Sequence, residues 1–254
     1  MIMDRFRVDG QVAVITGGTR GIGYGIALAL GEAGARLIVS SKNPNPDAMA
    51  SFEKAGATAD WVQADMADPT GPQALIDKAV DLAGRVDILV NNAGVSDSGP
   101  TADFTDEQWR RIMEVNFDAV FRCSRAALKP MLAHGAGVIL NVGSMSGIVS
   151  NIPQHQTAYN SSKAAVHMIT KTMASELADK GIRVNALAPG YVDTDMSRDG
   201  LNNPDWAPTW MQMTPMGRAA TIEECAAAGL YLCSPASSYT TGAVLVVDGG
   251  YTAR

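Results

Sequence analysis

Short apolar runs rich in Val and Ile recur along the chain, and the segments between them repeat their apolar positions with a helical period. The runs are VAVIT from Val12, RLIVSS from Arg36, WVQAD from Trp61, VDILVNN from Val86, GVILNVGS from Gly137, IRVNALAPG from Ile182 and AVLVVDGG from Ala243. Segments such as GYGIALALGEAG and EECAAAGLYLCSP lie between them. A strand that is apolar at successive positions is covered on both faces, and such strands alternating with helices make a parallel sheet with helices on each side. The pattern predicts one doubly wound α/β domain over residues 1–254, with about seven parallel strands.

Nothing along the chain reads as a linker, a repeat or a low-complexity tract, and the Pro-bearing NPNPDAM after the second strand is a local turn. One longer stretch, about 193–215, breaks the alternation and is rich in Met, Trp and Pro. A segment of that length inside a compact domain is predicted to be a lid over a ligand.

Composition narrows the function classes. The chain is 46% hydrophobic and 18% charged, enough for a proper core and far from the composition of a disordered segment. Its net charge of −6 offers no basic field for a phosphate backbone, so nucleic acid is not expected as a partner. No apolar run is long enough to span a membrane, and the start, MIMDRFRVDGQVAVITGG, does not read as a signal peptide. A cytoplasmic location is the expectation. Cys123, Cys225 and Cys233 sit in apolar helical contexts and read as core residues. They and the scattered His134, His155 and His167 form no paired ligand spacing, so no metal is expected.

Two stretches suggest chemistry. In AYNSSKAA, Tyr159 precedes Lys163 by four residues, which on a helix puts both on one face. An ammonium held beside the phenol favours the phenolate and lowers the tyrosine pKa, making Tyr159 a usable acid and base. The same spacing also occurs on ordinary solvated helices. In TGGTRGIG, after the first strand, Gly17, Gly21 and Gly23 allow a tight strand-to-helix turn whose backbone can approach a phosphate. Their spacing differs from the common G-x-G-x-x-G fingerprint, and tight turns need glycine in any case.

Together with motifs further along the chain, these two stretches resemble the short-chain dehydrogenase/reductase family. Thr16, Gly17, Gly21 and Gly23 match its Thr-Gly-x-x-x-Gly-x-Gly, NNAG from Asn91 its adenosine-side motif, and Tyr159 with Lys163 its Tyr-x-x-x-Lys. PGYVDT from Pro189 and the final VDGG match later motifs, in order, over about the whole length. The resemblance implies a single Rossmann-type domain and an NAD(P)-dependent oxidoreductase of secondary alcohols and ketones. It makes Tyr159 the acid/base and gives Lys163 the tasks of lowering its pKa and holding the ribose. Asn116, in EVNF, would anchor a proton-relay water, and a serine would stabilise the substrate oxygen. The family's usual count back from the tyrosine reaches Ser146, whereas Gly-Ser-x-x-Gly in GSMSG selects Ser144. Ser144 is preferred, because its strand delivers it to the carboxyl edge of the sheet, and Ser146 becomes a substrate contact.

By the same resemblance the cofactor would meet Gly17, Thr19, Arg20, Gly21, Ile22 and Gly23 in the turn, and Ser41 and Lys42 after the second strand. Asp65 would contact the adenine with Met66 beside it, and Asn92, Ala93 and Gly94 the adenosine side. Tyr159 and Lys163 would hold the ribose, and Pro189, Gly190, Val192 and Thr194 would line the nicotinamide. Ser41 stands where NAD-type members carry Asp, and Lys42 and Arg20 can reach a 2′-phosphate, so NADP(H) is favoured, with NAD(H) the alternative.

The loop after Ser144 carries Ser146, Asn151, Gln154 and His155, a polar set suited to a substrate with several hydroxyls. Met196, Trp206, Trp210 and Met213 would close the other wall, with Trp210 as a contact, although Trp and Met here also suit a core. The expected substrate is a small molecule, a polyol or sugar. A reductase of acyl-carrier-linked 3-ketones is the second reading, and a non-catalytic nucleotide-binding regulator a third of another class. The resemblance also implies a homotetramer, packed through the helix from about Asp106 to His134 and the one bearing Tyr159.

Overall fold

A computed structural model describes all 254 residues, Met1–Arg254. The apolar runs become β1 (Val12–Thr16), β2 (Arg36–Ser41), β3 (Ala59–Gln63), β4 (Ile88–Asn91), β5 (Gly137–Val142), β6 (Ile182–Pro189) and β7 (Val244–Val247). They form one sheet in the order β3-β2-β1-β4-β5-β6-β7, every neighbouring pair parallel. The predicted fold class is therefore the observed one.

The reason the strands are continuously apolar is visible residue by residue. Ala13 and Ile15 of β1 face one core and Val12 and Val14 the other; Leu37 and Val39 of β2 part from Ile38 in the same way. Each core holds 22 buried residues. Burying one such aliphatic side chain contributes roughly 1.5–3 kcal/mol, so a charge at Val14 or Ile38 would be costly from either side. The first core is closed by α1 (Gly21–Glu32) and α9 (Ile222–Cys233), with Phe52 from α2 (Pro46–Lys54). The second is closed by α3 (Gly71–Ala83), α5 (Ala119–His134) and α6 (Thr157–Leu177).

The cysteines belong to these cores. Cys123 lies in the second, its Sγ 3.7 Å from Met66 Sδ, and Cys225 and Cys233 lie in the first. Burial pushes all three thiols up to about 12. No helix is long and apolar enough to cross a membrane.

Two segments differ from the periodicity. The helix expected from Asp106 to His134 is split into α4 (Asp106–Met113) and α5 by a π-helical turn at Glu114–Asp118, which carries Asn116. The stretch expected to be irregular folds into two short helices, α7 (Asp195–Leu201) and α8 (Ala207–Met213). Thr194 caps α7 through Ser197, and Trp210 of α8 is buried.

From β1 the sheet extends through β2 to β3 on one side and through β4 to β7 on the other. At that reversal the loops after β1 and β4 part in opposite directions and leave a crevice at the carboxyl edge, the usual ligand position in an open α/β sheet.

Candidate active site

The crevice is tied together by Thr16 and Asn92. Thr16 Oγ1 accepts the N–H groups of Asn92 and Ala93, each at 3.0 Å, and Asn92 Nδ2 donates to the carbonyls of Thr16 and Gly17, also at 3.0 Å. Gly17 and Gly21 take φ values of 61° and 54°, left-handed backbone that lets the turn bend into α1. A Cβ at Gly23 would stand 2.3 Å from Asn92 Nδ2 and 2.5 Å from the Gly17 carbonyl oxygen, so only glycine fits there. Thr19 is buried, with its carbonyl held by Asn45 Nδ2 at 2.8 Å, and Ile22 packs against the first core. The result is a narrow bare-backbone cradle ahead of a helix N-terminus, a fit for the pyrophosphate of a dinucleotide. Arg20, the residue before α1, is exposed and makes no side-chain hydrogen bond within the chain.

Past β2, Ser41 Oγ accepts Trp61 Nε1 at 2.8 Å and donates to the Asn43 carbonyl at 2.6 Å. Lys42 Nζ lies 2.8 Å from Asp65 Oδ2. That ammonium, with the Ala67 amide, holds the Asp65 carboxyl below the usual range. Asp65 thus stands at the cleft rim, whereas the Met66 side chain packs in the second core, so only the backbone at 66 is left to face a cofactor.

The four residues of the expected catalytic group converge. Asn116 is fully buried; its Oδ1 accepts the Val95 N–H at 2.8 Å, and its Nδ2 donates to the Val95 carbonyl at 2.9 Å and to Ser162 Oγ at 3.1 Å. The π-helical turn brings this amide between the loop after β4 and α6. Lys163, 5% exposed, donates to the Val142 carbonyl at 2.9 Å, and burial pulls it down to about 8. A Cβ at Gly94 would lie 3.4 Å from Asn116 Oδ1 and 3.7 Å from Lys163 Nζ, which puts the two groups at the end of the NNAG motif. Ser144 lies two residues past β5, and its hydroxyl is the side-chain group that lowers the Tyr159 pKa. Ser146 is buried in the same turn, and its N–H donates to Ser144 Oγ at 3.1 Å.

In the chain alone, burial raises the Tyr159 pKa and the Ser144 hydroxyl lowers it. The Lys163 ammonium stands over the tyrosine ring, 5.6 Å from its centre, with its hydrogen bond directed to the Val142 carbonyl of β5.

The loop between Ser144 and Tyr159 carries the expected substrate residues, and the structure joins them to one that sequence reasoning missed. Asn151 Nδ2 and Gln154 Nε2 both donate to the Tyr191 hydroxyl, at 3.3 and 3.2 Å, and Trp210 Nε1 donates to Gln154 Oε1 at 2.8 Å. Tyr191, inside the Pro-Gly motif, is also packed edge-on by Tyr251 at 5.8 Å. Asn151 and Gln154 are buried, and Asn151 Oδ1 has no hydrogen-bond partner. His155 is exposed and outside this cluster, as is Met196. Pro189 ends β6, Gly190 packs on Asp248, Val192 is buried beside Ala220, and Thr194 comes near Gly21, so this segment borders the cradle from the far side.

Comparison with known proteins agrees with this geometry. A family model described as enoyl-(acyl carrier protein) reductase matches residues 17–252. A galactitol 2-dehydrogenase (L-tagatose-forming) of Cereibacter sphaeroides is 46% identical over 97% of both chains. The crystal structure of gox2181 superimposes with a TM-score of 0.98 at 38% identity, covering 100% of both chains. A gluconate 5-dehydrogenase from Burkholderia cenocepacia, crystallised with NADP and tartrate, superimposes with a TM-score of 0.92 at 36% identity, again over 100% of both chains. Likeness of this extent makes the chain a member of the short-chain dehydrogenase/reductase family, oxidoreductases of CH–OH groups that use a nicotinamide cofactor.

Proposed function

We propose that the protein interconverts a polyol and the corresponding ketose with NADP(H) in preference to NAD(H). The observation that carries the substrate reading is the polar cluster of buried Asn151 and Gln154 with half-buried Tyr191, in which Asn151 Oδ1 lacks a donor. Buried acceptors are nearly always paired, and a substrate hydroxyl would supply the missing bond. Likeness to a galactitol dehydrogenase supports the same class. Ser146 would add a further contact, and α7 with α8 would act as the lid over 193–215.

The cofactor would be held by Gly17, Thr19, Arg20, Gly21, Ile22 and Gly23 at its phosphates. Asp65 and Asn92 to Gly94 would hold the adenosine, Tyr159 and Lys163 the nicotinamide ribose, and Pro189 to Thr194 the ring. When bound, the nicotinamide supplies or accepts the hydride. In reduction Tyr159 Oη would give its proton to the carbonyl oxygen and be left as the phenolate, and in oxidation that phenolate would take the proton of the substrate hydroxyl. Ser144 Oγ donates to the same oxygen and stabilises its developing charge. Lys163, brought down to about 8 by burial and standing over the Tyr159 ring, would hold the nicotinamide ribose and favour the phenolate by its charge. Asn116, bonded to Val95 and Ser162, ties the loop after β4 to α6 beside Lys163, and its backbone would hold the relay water that the family resemblance implies.

NADP(H) is favoured because no carboxylate occupies position 41 and the Arg20 guanidinium is uncommitted, although Lys42 is shared with Asp65. The protein would work as a homotetramer in the cytoplasm. Purified protein is assayed against polyols, ketoses, apolar ketones and 3-ketoacyl thioesters, each with both cofactors. Turnover confined to polyols and ketoses, with NADP(H) ahead, is expected. Turnover confined to the thioesters would replace the reading with the acyl-carrier one that the family model's description suggests, and none at all would leave a nucleotide-binding regulator.

A further inference from the structure

His167 lies on α6 four residues beyond Lys163 and eight beyond Tyr159, on the same helix face. It is 7% exposed and points behind the turn that carries Ser144. Its Nε2 accepts the Ser144 N–H at 3.4 Å, and that N–H has no other partner in the chain. The Gly147 backbone lies against the same ring and raises its pKa. Accepting the Ser144 N–H requires the lone pair on Nε2, so the neutral ring carries its proton on Nδ1.

The turn is shaped around this imidazole. A Cβ at Gly143 would lie 2.3 Å from Nε2, and one at Gly147 would lie 2.8 Å from Cε1. Gly147 N–H closes the turn on the Ser144 carbonyl at 3.0 Å, and Ser146 N–H holds Ser144 Oγ from within. The serine is thus gripped from behind by its backbone while its hydroxyl meets Tyr159.

We infer that His167 is a positioning residue for the reaction, fixing the Ser144 hydroxyl against Tyr159 through the Ser144 N–H and the Gly147 backbone; the inference rests on the proposed action of Ser144 on the substrate oxygen. Burial, together with Lys163 and Lys171, holds the imidazole in the neutral form that this grip needs, bringing it down to about 4. Misplacing a reacting group by about 1 Å costs on the order of 100-fold in rate, so a loosened turn has ample effect without any loss of fold.

A double-mutant cycle tests this. His167→Leu, Ser144→Ala and the pair are compared by kcat, by NADPH affinity from fluorescence titration and by thermal melting. His167→Leu should lower kcat roughly 10- to 100-fold with NADPH affinity unchanged, His167→Gln should recover part of it, and His167→Leu should add nothing in the Ser144→Ala background. A purely structural residue would instead multiply its effect on top of Ser144→Ala, and that result, or an unimpaired His167→Leu, overturns the inference. His167→Asn, polar but too short to span both groups, runs the same cycle if the leucine variant does not fold. An unimpaired Ser144→Ala would mark the failure of the serine's assigned role, which is a separate outcome from a cycle in which only His167 is silent.

Discussion

The indole of Trp210 lies flat on the ring of Tyr191, with ring centres 3.9 Å apart and planes 7° from parallel. The stack joins α8 to the segment after β6. Through Gln154 it also reaches the loop between Ser144 and Tyr159. The segment over the crevice is therefore held by side chains that share hydrogen bonds with the proposed substrate residues.

Trp210→Ala should remove both the stack and the donor to Gln154. Emptying a buried indole costs about 3–5 kcal/mol, and kcat/KM for a polyol should fall at least about tenfold as Gln154 and Tyr191 lose their placement. Trp210→Phe keeps a ring and loses only the hydrogen bond, so its melting temperature should lie between those of the alanine variant and the wild type. Equal kcat/KM in all three proteins would dissociate the stack from substrate recognition.

Tyr159→Phe should lower kcat by about 100- to 10,000-fold, the range for losing a positioned acid, with NADPH affinity nearly intact. Ser144→Ala should cost roughly 100- to 1,000-fold, as expected for one donor to a developing oxyanion. Stopped-flow reduction with saturating ketose measures both, and a phenylalanine variant retaining more than a few per cent of wild-type rate would refute the tyrosine's role.

Arg20→Ala should weaken use of NADPH and leave NADH within about twofold. A charge-assisted hydrogen bond to phosphate contributes about 1.5–3 kcal/mol, or roughly 10- to 100-fold in kcat/KM. Ser41→Asp should move preference further toward NADH by repelling the 2′-phosphate and accepting the 2′-hydroxyl. Specificity constants for both cofactors decide it; a wild-type preference for NADH above tenfold would discard the NADP(H) assignment.

His167 makes stability depend on pH. The folded chain refuses a proton there down to about pH 4, while the unfolded chain accepts one near 6.5. Its contribution is complete above the unfolded value and is lost as pH falls through the folded one, by up to about 3 kcal/mol. Urea unfolding of wild type and His167→Leu from pH 7 to pH 4 should show the wild type losing ground to the variant across this window. A constant difference between them would rule the dependence out.

The strands were legible because each must be apolar toward two cores at once, as Val12 to Ile15 are. The residues proposed as catalytic were picked out by spacing on α6 and by the motif order. Spacing puts Tyr159 and Lys163 on one face, and the structure sets the ammonium over the tyrosine ring while its hydrogen bond goes to β5. Met66 misled, since its place in the chain is at the cleft while its side chain is in the core. His167 showed no acidic or metal-type partner because its partners are backbone groups of a turn twenty residues earlier. The broken periodicity of 193–215 concealed two short helices, the first of them capped by Thr194 and Ser197, which is local chemistry without an apolar period.

The buried cysteines provide a set of built-in reporters of structural opening. With thiols near 12, only about one in ten thousand is ionised at pH 8, and none is accessible while the fold is closed. Modification by a disulfide reagent therefore counts excursions of the native state toward exposure. Cys123 reports on the side of the sheet covered by α3, α5 and α6, and Cys225 with Cys233 on the side covered by α1 and α9. Mapping which thiol reacts first would show which layer of helices lets go of the sheet before the other.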